Sequence, residues 1–244
     1  MYLKRYQLLK SRTAKDWWTA TFGDPVSWII LAAIGDWRFI TPNLLTVLTF
    51  IAKVIASICI AFGDQSTIIY GAILLQIGVV FDHMDGNLAR YRNISTLKGG
   101  FMDRILDGTS VLIIFSSLSW NVYQSGDSAY FLLMGPTAAS FYLIICYIYW
   151  SYAFDEYKML GQSKKVHPGT EKLRDKKIST LKYILGGQIK FFKCNHIDYY
   201  FWISLAIFLD RINWVIWFLF IIIGSRMIGR FQMRIKHLSK LDKQ

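Results

Sequence analysis

Mostly apolar runs recur six times along this chain, at 41–62, 66–85, 101–120, 130–152, 197–209 with its flanks, and 213–234. A run of about 20 such residues is what an α-helix needs to cross the ~30 Å hydrocarbon layer of a bilayer. Inside that layer no water satisfies backbone groups, so each run has to be a helix that bonds to itself. The 54% of residues that are hydrophobic are also more than one soluble core could hide in a 244-residue chain. The expected fold class is therefore an all-α integral membrane protein with six transmembrane helices. The fifth run is the shortest and leans on the aromatic stretch Tyr199 to Trp202.

Charge placement orients the helices, because cytoplasmic loops are enriched in Lys and Arg. Six of these residues precede Thr41, three follow the second run, ten lie between Lys158 and Lys193, and six between Arg226 and Lys243. That places 25 of the 28 on one side, and predicts cytoplasmic termini. The net charge of +12 follows from this asymmetry and from attraction to anionic lipid, so nucleic acid is not an expected partner. Residues 1–40 read as a cytoplasmic segment, basic and without a cleavable signal. Trp17, Trp18, Trp28 and Trp37, with Asp24-Pro25 as a helix start, suit an N-terminal amphipathic helix lying in the membrane interface. Residues 41–235 then form the six-helix transmembrane domain, including a basic cytoplasmic loop at 154–194, and 236–244 form a basic tail. Within that loop His167-Pro168-Gly169 reads as a turn and 178–192 as a surface helix. Cys59, Cys146 and Cys194 are scattered, with no framework spacing, and read as packing residues.

Ionisable residues inside a membrane are costly enough to signal function. Where the second and third runs meet, four carboxylates gather: Asp82, Asp85, Asp103 and Asp107. On helices the first two are three residues apart and the last two four apart, so each pair shares a face. Such a group must be protonated, paired with bases or neutralised by metal, and two divalent ions would balance it. Oxygen ligands without clustered Cys or His favour Mg2+ or Mn2+ over zinc. The interspersed glycines admit a ligand close to backbone, and Arg90, one turn after Gly86, can reach a phosphate oxygen. These parts describe a diphosphate site in which metals bridge oxygens and a spare carboxylate takes a proton from an attacking hydroxyl.

The string from Asp82 to Asp107 resembles the signature of the CDP-alcohol phosphotransferase family, D(x)2DG(x)2AR(x)8G(x)3D(x)3D. All eight fixed residues are present at the family spacing: Asp82, Asp85, Gly86, Ala89, Arg90, Gly99, Asp103 and Asp107. The resemblance implies that Asp82, Asp85 and Asp103 are metal ligands and that Asp107 shares a second metal and acts as general base. Gly86 and Gly99 would admit the cytidine and its ribose, Ala89 would keep a helix crossing close, and Arg90 would contact the donor diphosphate. The implied reaction transfers a substituted phosphate from a CDP-linked donor to an alcohol acceptor and releases CMP. In phospholipid biosynthesis the group would be phosphatidyl from CDP-diacylglycerol, passed to a polar alcohol or alcohol phosphate. The alternative within the family passes a CDP-activated headgroup to a lipid or to a polar alcohol such as an inositol phosphate. A homodimer among membrane lipids, with the active site facing the cytoplasm, is the implied setting.

Three further residues are candidates for the acceptor. Lys53 lies inside the first run, where its ammonium either meets the acids, binds an acceptor phosphate or snorkels to the interface. Arg226 and Arg230 are one turn apart at the cytoplasmic end of the last run, where similar enzymes with phosphorylated acceptors use basic residues. His83 occupies a variable position of the signature and reads as a filler beside the acids. Two other classes use intramembrane acids. A prenyltransferase would need a second acidic motif and more spans, and a cation transporter would distribute its acids across membrane depth.

Overall fold

The computed structural model describes residues 2–10, 16–160 and 179–241, and among them every regular element is a helix. In chain order these are α1 (Tyr2–Leu9), a π-helical segment (Thr19–Gly23), α2 (Asp24–Ile34), α3 (Pro42–Phe62), α4 (Gln65–Tyr91) and α5 (Leu97–Gln124). Then follow α6 (Phe131–Leu160), α7 (Thr180–Gln188), a 3-10 turn (Phe191–Lys193), α8 (His196–Phe208) and α9 (Ile212–Leu241). Five of the described helices, α3, α4, α5, α6 and α9, are long and apolar enough to cross a membrane. Expected run five is α8, whose 13 residues extend about 20 Å at 1.5 Å per residue. The turn expected at 167–169 lies outside the described residues.

Local chemistry sets the helix starts. Thr41 caps α3 by accepting from the Leu44 amide, with Pro42 in the first turn where its missing N–H is no loss. Asp64 caps α4, and bonds from the Thr67 amide and hydroxyl hold its carboxyl below the usual carboxylate range. Thr96 serves α5, its hydroxyl oxygen accepting from the Gly99 amide at 3.0 Å. Asp24-Pro25 does not begin a helix from extended chain. Gly23 is already helical, and the Asp24 amide bonds back to the Thr19 carbonyl, one residue further than in an α-helix.

The chain divides into two compact units, Met1–Ser110 with Glu171–Arg211, and Val111–Thr170 with Ile212–Gln244. In the first, α3 packs along α4 through small residues, as membrane helices do. Gly71, Gly78 and Asp85 recur every seventh residue on one stripe of α4. A Cβ on Gly71 would stand 3.0 Å from the Ala56 carbonyl and 3.1 Å from Cys59 Cβ, and one on Gly78 would stand 3.3 Å from Lys53 Cγ. On its other side α4 carries Val80, Met84 and Leu88, buried against Trp28, Leu31 and Ala32 of α2 and Tyr183 of α7. Arg92, just past α4, donates to the carbonyls of Gly35, Trp37 and Ile40 at 2.7–3.0 Å, fastening the turn after α2.

Within the stretch 178–192, where a surface helix is expected, the described residues form α7, Thr180–Gln188, with Tyr183 and Gly187 buried. Gln188 at its end accepts from the Trp17 indole at 2.6 Å and donates to Thr21 at 3.1 Å. Polar contacts also place α8 beside α4: Gln76 donates to the Tyr200 carbonyl and the Ser204 hydroxyl at 3.0 and 2.8 Å. In the second unit α6 packs on α9. The Tyr152 hydroxyl lies 2.8 Å from His237 Nδ1, and the Arg234 guanidinium stands over its ring. Pro136 is accommodated inside α6, and the Gly135 amide next to it donates to Ser119 Oγ of α5 at 3.0 Å.

Candidate functional site

The acidic residues sit on two helices of the first unit, Asp82 and Asp85 on α4 and Asp103 and Asp107 on α5. Helical spacing aims the members of each pair the same way. Asp82, Asp103 and Asp107 converge so that each offers an oxygen within 4.8 Å of the others. Three partly buried carboxylates at that separation repel one another, and a hard divalent cation that prefers oxygen ligands suits such a set. Asp85 stands apart from this trio. It is 8% exposed, and its Oδ2 accepts from Thr46 Oγ1 of α3 at 2.5 Å.

Lys53 is drawn into the same group. Its Nζ lies 2.8 Å from Asp107 Oδ1 and 3.7 Å from Asp82 Oδ1, and its side chain has no exposed surface. A snorkelling lysine would show its ammonium to the interface, and this one does not. The Tyr200 ring of α8 lies 5.0 Å from the ammonium, and the Tyr200 hydroxyl lies 3.1 Å from His196 Nε2. Both α8 residues border the site, and the sequence reading did not single them out. Thr46 was missed as well, although its position seven residues before Lys53 puts it on the same stripe of α3.

The remaining signature residues surround the turn from α4 to α5. The Arg90 guanidinium lies over Gly86, where an added Cβ would come within 2.9 Å of it, and donates to Asn87 Oδ1 at 2.9 Å. Ala89 is half-buried in the last turn of α4, where its carbonyl accepts from the Ile94 amide. Gly99, in the first turn of α5, would bring a Cβ to 3.2 Å from Asn43 Oδ1 at the start of α3. His83 Nδ1 lies 2.7 Å from the Val79 carbonyl and 4.0 Å from Asp82 Oδ2, and its Nε2 lies 3.0 Å from the Thr19 hydroxyl. Arg226 and Arg230 lie one turn apart on α9 in the second unit, where Arg230 is exposed.

Comparison with known proteins adds an independent line. The CDP-alcohol phosphatidyltransferase family profile matches residues 39–185. The chain is 34% identical over 87 residues to the bifunctional IPC transferase and DIPP synthase of Aquifex aeolicus, a match covering 36% of this chain and 19% of that protein. It is 32% identical over 111 residues to the archaetidylinositol phosphate synthase of Pyrococcus horikoshii, covering 46% of this chain and 55% of that protein. Both matches span less than two thirds of the relative's own length. The profile runs through α3, α4 and α5, the helices that bring Lys53, Asp82, Asp103 and Asp107 together, and five of the described helices have the length and apolarity of spans. The chain is a multi-pass membrane protein and belongs to the CDP-alcohol phosphatidyltransferase family.

Proposed function

We propose that the protein is a metal-dependent CDP-alcohol phosphotransferase of phospholipid synthesis, transferring a phosphatidyl-type group from a CDP-linked lipid to a phosphorylated polyol and releasing CMP. The observation that carries this reading is the convergence of Asp82, Asp103 and Asp107 oxygens within 4.8 Å, inside a complete family signature. Asp82, Asp85, Asp103 and Asp107 would hold Mg2+ or Mn2+, with Asp85 turning from Thr46 to join them. Two such ions, when bound, would neutralise the donor diphosphate and make CMP a better leaving group.

The protein's own groups would do the rest. Gly86 and Gly99 would admit the cytidine and its ribose, Ala89 would keep a helix crossing close, and Arg90 would bind a diphosphate oxygen as a charged donor. The acceptor hydroxyl oxygen attacks the phosphorus distal to cytidine, the bond from that phosphorus to the CMP oxygen breaks, and the hydroxyl proton passes to the Asp107 carboxylate. Positioning supplies most of the acceleration in such transfers. Lys53 offsets the charge of Asp107 and Asp82, and Lys53, Arg226 and Arg230 are separate candidates for contact with an acceptor phosphate. The name of the Pyrococcus horikoshii relative, an archaetidylinositol phosphate synthase, supports an inositol phosphate as that acceptor.

The orientation we propose follows from the 25 basic residues of one side: termini and acidic cluster cytoplasmic, α8 as a sixth, shorter crossing, and α2 at the interface. A homodimer is the proposed assembly, from the family resemblance. The test is to incubate purified protein and Mn2+ with CDP-diacylglycerol against a panel of alcohols and alcohol phosphates, inositol phosphate among them, and to read CMP. Metal-dependent CMP release with a phosphorylated lipid product supports the reading. Release of diphosphate, or no release with any acceptor, overturns it.

A further inference from the structure

A buried polar chain in the first unit runs from α7, in the basic segment, to the signature arginine. The Tyr183 hydroxyl donates to Asp24 Oδ2. Asp24 Oδ1 accepts from Asn87 Nδ2 at 3.1 Å, and the same amide nitrogen donates to Ser27 Oγ at 2.9 Å. Ser27 directs its own proton to the Asp24 carbonyl at 2.9 Å. The Asn87 amide has two protons, and both point at these acceptors, so its Oδ1 faces the other way and accepts from Arg90 Nη2 at 2.9 Å.

Donor and acceptor roles along this chain have one consistent solution. Turning Asn87 over would set its oxygen against the Asp24 carboxylate and its N–H groups against the guanidinium, losing its bonds to Asp24 and Arg90. Asp24 therefore selects the Asn87 orientation that accepts from Arg90, and Tyr183 holds Asp24. All four supporting residues are buried: Tyr183 5%, Asp24 6%, Ser27 0% and Asn87 4% exposed. Their satisfied donors and acceptors make a network that is stiff as well as stable. Arg90 is its half-exposed end. Asn87 stands inside the signature at a position where the signature itself makes no demand, and its partners come from segments 63 residues earlier and, through Asp24, 159 residues apart.

We propose that Tyr183, Asp24 and Asn87 are positioning residues that aim the Arg90 guanidinium at the donor diphosphate, which makes α7 a working part of the donor site. This rests on the reading of Arg90 as a donor ligand given above. The segment that carries α7 is then more than a spacer between α6 and α8. A donor gains affinity because the guanidinium is already ordered, so less freedom is lost on binding.

A double-mutant cycle tests this, with CDP-diacylglycerol in detergent micelles and Mn2+ as the probe and calorimetric affinity as the readout. Tyr183→Phe removes one hydroxyl and keeps the ring against Trp28, whose centroid is 4.9 Å away. Expected is a roughly five- to tenfold loss of donor affinity in the wild-type background and none beyond the loss already present in Arg90→Ala, as coupled residues behave. The acceptor KM should stay unchanged. Asn87→Leu, similar in shape and without the amide, serves as a second variant should Tyr183→Phe fail to fold, and should also show no additional effect in Arg90→Ala. Equal losses in both backgrounds would mean general loosening and overturn the inference, as would full donor affinity in both variants. If Arg90→Ala alone binds the donor as well as the wild type does, the proposed function of Arg90 falls first and this inference with it.

Discussion

Lys53 Nζ and Asp107 Oδ1 stand 2.8 Å apart, an ion pair between α3 and α5 whose lysine has no solvent-exposed surface. The Lys53 stem passes close to Gly78 of α4, where an added Cβ would stand 3.3 Å from Lys53 Cγ. A single ammonium cannot balance three neighbouring acids, and we expect bound metal to supply the remaining positive charge.

Lys53→Met should therefore destabilise the metal-free protein by about 3–5 kcal/mol, the scale for removing one partner of a buried pair. Thermal unfolding in detergent should show a large drop in Tm in EDTA and a smaller one in Mn2+. Equal drops in the two conditions would detach Lys53 from the metal site.

Asp82→Ala and Asp103→Ala each remove one corner of the cluster of three. Turnover should be abolished and Mn2+-dependent binding of CDP-diacylglycerol weakened, checked by CMP release and by calorimetry. Retained activity in either variant would count against the assignment.

Asp107→Asn keeps the side chain's size and its contact with Lys53 while removing the proposed base. Donor affinity should remain near the wild-type value, and kcat should fall by about a hundredfold or more, the usual scale for a lost general base. A rate close to that of the wild type would move the role to another group.

Gly71→Ala tests the packing of α3 on α4 away from the chemistry. The new Cβ would press on the Ala56 carbonyl and on Cys59, so the helices must part by a few tenths of an ångström. Overpacking of this kind costs about 1–3 kcal/mol. Tm should fall, and the KM for the donor should not change.

Much of the site was readable because helical period decides it. The three- and four-residue spacings of the aspartates survive as shared faces on α4 and α5, since both helices run through the signature. What escaped depends on the register between helices. Whether Lys53 snorkels or turns inward depends on where Asp107 and Asp82 of the neighbouring helices lie, and the bond from Thr46 to Asp85 depends on the register of α3 against α4. Tyr183 and Asp24 are 159 residues apart, and no local pattern links them. The fifth run, at 197–209, coincides with α8 (His196–Phe208), whose 13 residues make it the shortest of the six. Asp24-Pro25 was legible as a helix signal but not as a site inside a longer helix, because the π-helical segment Thr19–Gly23 runs directly into α2.

The three carbonyls that Arg92 gathers from the turn after α2 bear on how small a functional fragment can be made. Cutting before Thr41 would strand that guanidinium, strip the cover from Val80, Met84 and Leu88, and leave Asn87 without Asp24. The π-helical segment, α2 and the turn after it thus behave as a clasp on α4, and a truncated protein beginning at Thr41 should be recovered aggregated.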